Sequence, residues 1–268
     1  MSKIYKALKK VEMESEEVIS PLTSENTKAS PGEYDQRLIT LVTPNSVAAE
    51  QFRKLKTSIL KAGGNDKRCI LITSAVASEG KTLISSNLAI SIAYELQQHV
   101  LLVDADLRRP GLHEYFDVPN SPGLSEYLSD GIDLAQLFVK TPIPKLSILP
   151  AGTPTNKATE LFASQKMMNL VQELKSRYQD RYIIIDSTPI MSTTEPDILS
   201  QQVDSIIFVV RAEKTPREVA QRALLHLDSN KDKIIGTVFN NGNVKIGSHY
   251  YGYYGYYDYY GKEKKKRS

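Results

Sequence analysis

Residues 69–82 read Cys-Ile-Leu-Ile-Thr-Ser-Ala-Val-Ala-Ser-Glu-Gly-Lys-Thr, an apolar run that opens into a short loop and then into a helical pattern. The end of that loop matches the Gly-Lys-Ser/Thr close of a P-loop. Backbone N–H groups at the start of a helix cradle phosphate oxygens, because they carry partial positive charge and have no intrahelical partner. Gly80 lets the main chain come close, the Lys81 ammonium reaches the β- and γ-phosphates, and the Thr82 hydroxyl ligates Mg²⁺. The residues expected around the phosphates are Ala77, Ser78, Glu79, Gly80, Lys81, Thr82 and Leu83. Ala75 stands where the motif usually has its first glycine, so the strand–loop–helix context carries the assignment.

Two more apolar runs end in acids. One closes on Asp104-Ala105-Asp106-Leu107-Arg108-Arg109 and the other on Asp186-Ser187-Thr188-Pro189. Mg²⁺ prefers oxygen ligands and is often held by one or two carboxylates with phosphate and water. Asp186 is the natural acid opposite a P-loop; its plainer reading is a loop or cap aspartate. Asp104 and Asp106 are two apart, so on a strand they share a face and repel unless a cation sits between them. The plainer reading of that pair is a salt bridge to Arg108 or Arg109. Arg211 closes a later strand, and Asn240 closes the last.

Something must bring these strand ends together. Candidate strands are 69–74, 99–106, 146–152, 182–187, 205–212 and 234–240, with helices expected at 81–96, 159–177 and 216–229 and another beginning at Ser46. The strands are near-continuous apolar runs, the mark of a parallel sheet covered on both faces. Strand–helix alternation predicts an α/β doubly wound, mostly parallel domain. Ligands in such folds sit at the carboxyl ends of the strands, where all the acids fall.

The expected organisation is an N-terminal helix and linker (1–37), a nucleotide-binding domain (38–245) and a tyrosine-rich basic tail (246–268). Residues 2–13 carry Ile4, Ala7, Leu8 and Val11 at helical spacing among lysines, which suits either a docked surface helix or a partner- or membrane-facing one. Eight of the 15 tyrosines lie between Tyr250 and Tyr260, in glycine-interrupted sequence that cannot continue a fold. Tyr250 to Ser268 holds five basic and two acidic residues, a net +3 that equals the net charge of all 268 residues. The body is therefore neutral, and no nucleic-acid partner is expected. A single cysteine, Cys69, excludes an internal disulfide framework and cysteine-rich zinc sites. No run approaches the ~20 apolar residues of a membrane span, and no signal-peptide pattern appears, so a cytoplasmic chain is expected.

In this order the three motifs resemble the Walker A, A′ and B motifs of the bacterial tyrosine kinases, the cytoplasmic autokinases of polysaccharide biosynthesis. The resemblance spans roughly residues 38–260. Glu50, Arg53 and Lys56 resemble that family's E-x-x-R-x-x-R oligomerisation motif, with lysine for the last arginine. Segments 106–116 and 149–164 also look like family segments. The opening MSKIYKALKK looks like variants from exopolysaccharide loci. The family loop often has Pro-Gly where this chain has Ala77-Ser78, and its Walker B often ends x-Pro-Pro where this chain has Ser187-Thr188-Pro189.

The resemblance implies a tyrosine autokinase using ATP and Mg²⁺. Lys81 neutralises the γ-phosphate, and Thr82, Asp104 and Asp186 hold the metal, Asp186 directly or through water. Asp106 acts as base or as an outer partner of the metal, and Arg108 and Arg109 orient the tyrosine or the phosphate. Arg211 and Asn240 line the base. The expected acceptors are Tyr250, Tyr251, Tyr253, Tyr254, Tyr256, Tyr257, Tyr259 and Tyr260, filled in trans within a ring-like homo-oligomer. A separate membrane activator of the chain-length-determinant type is expected, met by the N-terminal helix or by Leu38–Val42. So are a tyrosine phosphatase, recruitment to the inner face of the membrane, and a role in exopolysaccharide or capsule polymerisation and export.

The competing reading is a nucleotide-switch ATPase of the partition and division-site class. That class carries a lysine five residues before the P-loop lysine, where this chain has Val76, and it lacks a tyrosine cluster. A third reading, an adhesive tyrosine-rich tail on a degenerate domain, conflicts with the intact Lys81, Thr82, Asp104, Asp106 and Asp186.

Overall fold

A computed structural model describes residues 34–63, 67–177 and 180–241. The helix expected at 2–13, the linker up to residue 33 and the eight tail tyrosines lie outside the described residues. The strands are β1 (Cys69–Ser74), β2 (His99–Asp104), β3 (Val139–Lys140), β4 (Leu146–Leu149), β5 (Arg181–Asp186), β6 (Ser205–Arg211) and β7 (Ile234–Asn240). They form one seven-stranded sheet in the order β3-β4-β2-β5-β1-β6-β7. Every pairing is parallel except β3 with β4. The six strands expected from the sequence are all present. β2 and β4 end two and three residues early, at Asp104 and Leu149, because the acids and glycines that follow leave the sheet as loops. β3 was not anticipated, since two residues carry no readable period.

Helices α1 (Ile39–Val42), α2 (Val47–Gly63) and α3 (Lys81–Ala93) cover one face with α4 (Leu112–Phe116). Helices α5 (Leu124–Asp130), α6 (Ala158–Phe162), α7 (Gln165–Arg177), α8 (Glu195–Gln202) and α9 (Arg217–His226) cover the other. The single helix expected over 159–177 is two. Ser164 breaks it, accepting from the Met167 amide at 3.2 Å as the cap of α7. The short helices α4, α5 and α8 went unseen because one to two turns show no period. Each face packs its own core: Ile70, Ile184, Leu88 and Ile92 on one side, Leu71, Ile185, Phe208 and Phe162 on the other. Fully burying such side chains contributes about 1.5–3 kcal/mol each.

Helix α3 is buried on nearly its whole surface, between the sheet and α1–α2. Its Asn87 must therefore find partners inside the protein. The side-chain oxygen accepts from the Thr40 amide and the nitrogen donates to the Arg37 carbonyl, both at 2.8 Å. This clasp seats residues 37–42 on the helix and leaves Leu38 1% exposed. Arg37 also stacks on the Tyr115 ring, 3.8 Å from its centroid. Strand β7 is the exception to the buried pattern. It is an edge strand, with Gly236, Thr237 and Phe239 exposed.

The sheet order creates the crevice that holds the site. From β1 the chain runs outward to β2 and β4, returns to insert β5 between β1 and β2, then crosses to β6 and β7 on the other side. Loops that diverge in this way leave a gap above the carboxyl ends of the central strands.

Candidate active site

The loop after β1 runs from Ala75 to Gly80, and Lys81 opens α3. Gly80 adopts φ +93°, which strains any residue with a side chain, and a Cβ there would also lie 2.0 Å from the side-chain nitrogen of Asn240. Ser78 also takes a left-handed conformation, φ +62°, which costs a residue with a side chain about 1 kcal/mol or more. Glu79 is turned inward and 1% exposed. Its carboxylate accepts from the Val76 amide at 2.7 Å, the Arg211 amide at 3.2 Å and the Thr215 hydroxyl at 2.5 Å. The Asn240 side chain donates to the Glu79 carbonyl at 2.8 Å, and Arg211 donates to the Ser78 carbonyl at 3.3 Å. The expected base-side residues thus flank the phosphate loop. Glu79 braces that loop instead of facing a ligand.

Asp186 and Asp106 act on Lys81, and Asp104 lies close to both. Asp104 and Asp186 are neighbours in register on β2 and β5, and both are almost completely buried. Burial pushes Asp104 up to about 8, with the Asp186 charge adding to the effect. Burial likewise raises Asp186 to about 6, while the Thr82 hydroxyl and the Lys81 ammonium pull the other way. Lys81 is itself lowered by burial, against the attraction of Asp186, Asp106 and Glu79. One lysine does not neutralise this cluster, so a polyvalent cation would find its charge wanted here.

The acceptors differ in availability. Asp104 Oδ1 takes the Asp106 amide at 3.0 Å, and its Oδ2 takes those of Gly111 and Leu112 at 3.3 and 3.1 Å. It organises the loop from β2 to α4. Asp186 Oδ1 is buried with no hydrogen-bond partner. Thr82 and Asp186 therefore fit a Mg²⁺ ion best, with Asp104 behind them. Among the described residues no three His, Cys, Asp or Glu side chains form a metal cluster by themselves, so such an ion would complete its shell with phosphate oxygens and water.

Asp106 lies half-buried at the mouth, raised by burial, with Oδ1 accepting from the Arg109 amide at 2.9 Å. Arg109 is exposed beside it. Arg108 points elsewhere. It is paired at 2.9 Å with the fully buried Glu195, which also accepts from Thr159 at 3.1 Å. Ser187 repeats the theme: its hydroxyl donates to the Ile72 carbonyl at 2.9 Å, tying the end of β5 to β1. Thr215 and Glu195 had no signal in the sequence, because their partners lie 136 and 87 residues away.

On α2, Glu50 pairs with Arg53 at 2.6 Å, Arg53 also donates to the Pro44 carbonyl, and Lys56 pairs with Glu95 at the end of α3. A different acid, Glu126, stands at the start of α5. It accepts from the Gly123 and Thr153 amides at 2.7 and 2.9 Å and from the Ser125 hydroxyl at 3.0 Å, joining the loops after α4 and β4. Burial raises this carboxyl, but the Thr153 and Gly123 donors outweigh it and hold it down at about 2.

No protein-family model matches the chain. It is 31% identical over 209 residues to the putative tyrosine-protein kinase CapB of Staphylococcus aureus, covering 78% of this chain and 90% of CapB. It is 31% identical over 216 residues to the tyrosine-protein kinase YwqD of Bacillus subtilis, covering 80% and 90%. The tyrosine-protein kinase ptk of Acinetobacter johnsonii is 30% identical over 205 residues, but the match spans only 28% of that longer chain. Among solved structures, the kinase domain of the Escherichia coli tyrosine kinase ETK superposes with a TM-score of 0.72 at 27% identity, over 87% of this chain and 93% of that one. The septum site-determining protein MinD of Pyrococcus horikoshii, 22% identical with a TM-score of 0.55 over 65% and 70% of the two chains, shares the fold.

Proposed function

The chain belongs to the bacterial tyrosine-protein kinases, and from that premise we propose that it transfers the γ-phosphoryl group of ATP to tyrosines of its own C-terminal tail, Tyr250 to Tyr260. One observation carries this reading. Lys81, Thr82 and the three aspartates converge at the carboxyl edge of the sheet, and the described chain ends at that same edge, where Asn240 holds the phosphate loop. Eight residues then separate Asn241 from Tyr250, a reach on the order of 30 Å. That span serves a neighbouring copy or its own site. The half-exposed Glu50–Arg53 pair on α2 favours the neighbour, in a ring-like homo-oligomer.

Phosphoryl transfer needs positioning and charge stabilisation more than covalent help. Lys81 and the loop amides bind the phosphates, and Thr82 and Asp186 hold the cation. When bound, Mg²⁺ supplies neutralisation of the phosphate oxygens. The acceptor phenol has a pKa of ~10 and must lose its proton. Asp106, half-buried at the mouth, receives that proton as the phenolic oxygen bonds to phosphorus and ADP leaves. Arg109, exposed beside Asp106, steers the incoming tyrosine in this reading.

A role in exopolysaccharide or capsule production fits the relatives' activity. The unit stands nearly alone in CapB but fills 28% of ptk. A membrane activator of the chain-length-determinant type, as a separate chain, completes the proposal. Among the described residues no helix is long and apolar enough to cross a membrane. Residues 262–267, KEKKKR, suit an anionic lipid surface until phosphates, each about −1.5 to −2, reverse the tail's charge. A tyrosine phosphatase would reset it.

The test is to incubate the protein with ATP and Mg²⁺, map phosphotyrosines by mass spectrometry, and vary protein concentration. Phosphate on residues 250–260, at a rate per subunit that rises with concentration, is expected. ATP hydrolysis without phosphotyrosine would make the chain a switch ATPase. Concentration-independent labelling would rule out transfer between copies.

A further inference from the structure

Glu79 belongs to the phosphate loop, but its side chain is turned inward and buried. A carboxylate aimed at a polyphosphate would repel it. Turned inward, it is an acceptor-only group needing several donors. Those donors come from three places: Val76 at the start of the loop, Arg211 at the end of β6, and Thr215 in the turn before α9. The turn is closed on itself, the Thr215 amide donating to the Arg211 carbonyl at 3.1 Å. The main chain of Glu79 extends the tie to β7 through Asn240, whose own carbonyl accepts from the Ala212 amide at 2.9 Å. A single buried residue thus links the loop on β1 to the ends of β6 and β7.

We propose that Glu79 and Thr215 form a brace that sets the shape of the phosphate loop from the β6–α9 turn, with Thr215 a positioning residue for nucleotide binding. The proposal rests on the kinase reading only in taking the loop to hold a nucleotide. Without the Thr215 hydroxyl, one donor to the Glu79 carboxylate is lost. Its charge then draws more on the Val76 amide, and the 76–79 turn shifts away from the shape that presents its amides to phosphate. The tie also explains why the loop tolerates serine at the left-handed position 78, where glycine would be easier. The bonds from Val76 and Arg211 fix the chain on either side of the strained residue.

The test measures binding of Mg·ADP and of Mg·pyrophosphate by calorimetry to the full chain and its variants. Thr215→Val keeps the shape and removes the hydroxyl. It should weaken both ligands about five- to tenfold, the scale of one ordinary hydrogen bond, because the lost bond acts on the ligand only through the loop. Thr215→Ser restores the donor and should bind within about twofold of the wild type. Glu79→Gln puts a donor against the Val76 amide and should cost more than about tenfold. Because both changes act on one brace, the double variant should bind no more weakly than Glu79→Gln alone. If Glu79→Gln does not fold, the two Thr215 variants decide the matter. Unchanged binding by Thr215→Val overturns the brace. So does a loss confined to ADP, which would make Thr215 a contact of the base or ribose, and so do losses that multiply in the double variant. A wild type that binds Mg·ADP yet forms no phosphotyrosine overturns the kinase reading and leaves the brace intact. A wild type that binds neither ligand overturns both.

Discussion

Glu126 and Asp186 are both acids at the carboxyl edge of the same sheet, and their surroundings treat them in opposite ways. Glu126 is half-buried and surrounded by donors: amides of Gly123 and Thr153 and hydroxyls of Ser121 and Ser125. It is held at about 2. Asp186 is buried, lies beside two other acids, and keeps one oxygen with no partner, so it rises to about 6. The first carboxylate spends its lone pairs on the fold. The second keeps them, at a cost in stability, for something the folded chain does not itself supply. Unsatisfied burial is expensive, so it persists where a ligand makes use of it.

The largest effect that would sharpen this contrast is on catalysis. Asp186→Asn should lower the autophosphorylation rate by at least about 100-fold, measured with saturating ATP and Mg²⁺. The same change should raise the stability of the ligand-free protein by about 1 kcal/mol in denaturant unfolding, because a buried charge disappears. An Asp186→Asn protein that is less stable and still active would collapse the distinction.

Glu126→Ala should do the reverse, destabilising the chain by about 1–2 kcal/mol after allowance for solvent screening. Binding of Mg·ADP should stay within about twofold. A large loss of affinity would show that the Glu126 loops belong to the site.

The pH dependence should separate the two regions by sign. Glu126 has a folded pKa near 2, below its ordinary 4.5. Its contribution is therefore complete above the ordinary value and lost as pH falls toward 2. Asp186 and Asp104, near 6 and 8, lie above their ordinary 3.8. Their protonated forms suit the fold, so stability is fullest below about 4 and declines as pH rises through 6 and 8. Unfolding of the ligand-free chain from pH 3 to 9 should show a maximum in the mildly acidic range. Mg²⁺ with ADP should flatten the alkaline decline. A decline that Mg·ADP leaves untouched would separate the buried acids from the ligand.

The smallest effect concerns the loop itself. Ser78→Gly relieves a left-handed serine but frees the unfolded chain, for a net gain of about 0.5 kcal/mol by thermal unfolding. A loss would mean that the serine hydroxyl matters more than its backbone.

The same contrast marks what the sequence made legible. Asp104, Asp106, Asp186, Lys81 and Thr82 stood at the ends of apolar runs, and β1, β2, β5, β6 and β7 followed from those runs, because strand ends and covered parallel sheets leave local patterns. Glu126, Glu195 and Thr215 left none. Glu126 sits in a seven-residue helix, and its bond to Thr153 spans 27 residues. For Arg108 the sequence leaves both a phosphate contact and a salt bridge open, because its partner Glu195 lies 87 residues on. Glu79 belonged to a recognisable motif, yet its role depended on which way its side chain turned.

The strand order has a consequence for how the protein comes into being. β1 pairs only with β5 and β6, so Ile70 finds its neighbours at Ile184 and Ser205, more than a hundred residues later. As the chain leaves the ribosome, β2 and β4 can pair early, while the strand that carries the phosphate loop has nothing to pair with. The loop gains its brace later still, when Thr215 emerges. Any nascent chain that stops short of Thr215 thus has the nucleotide motif without its braced site, and ATP can reward only a chain in which β6 and the turn after it have been made.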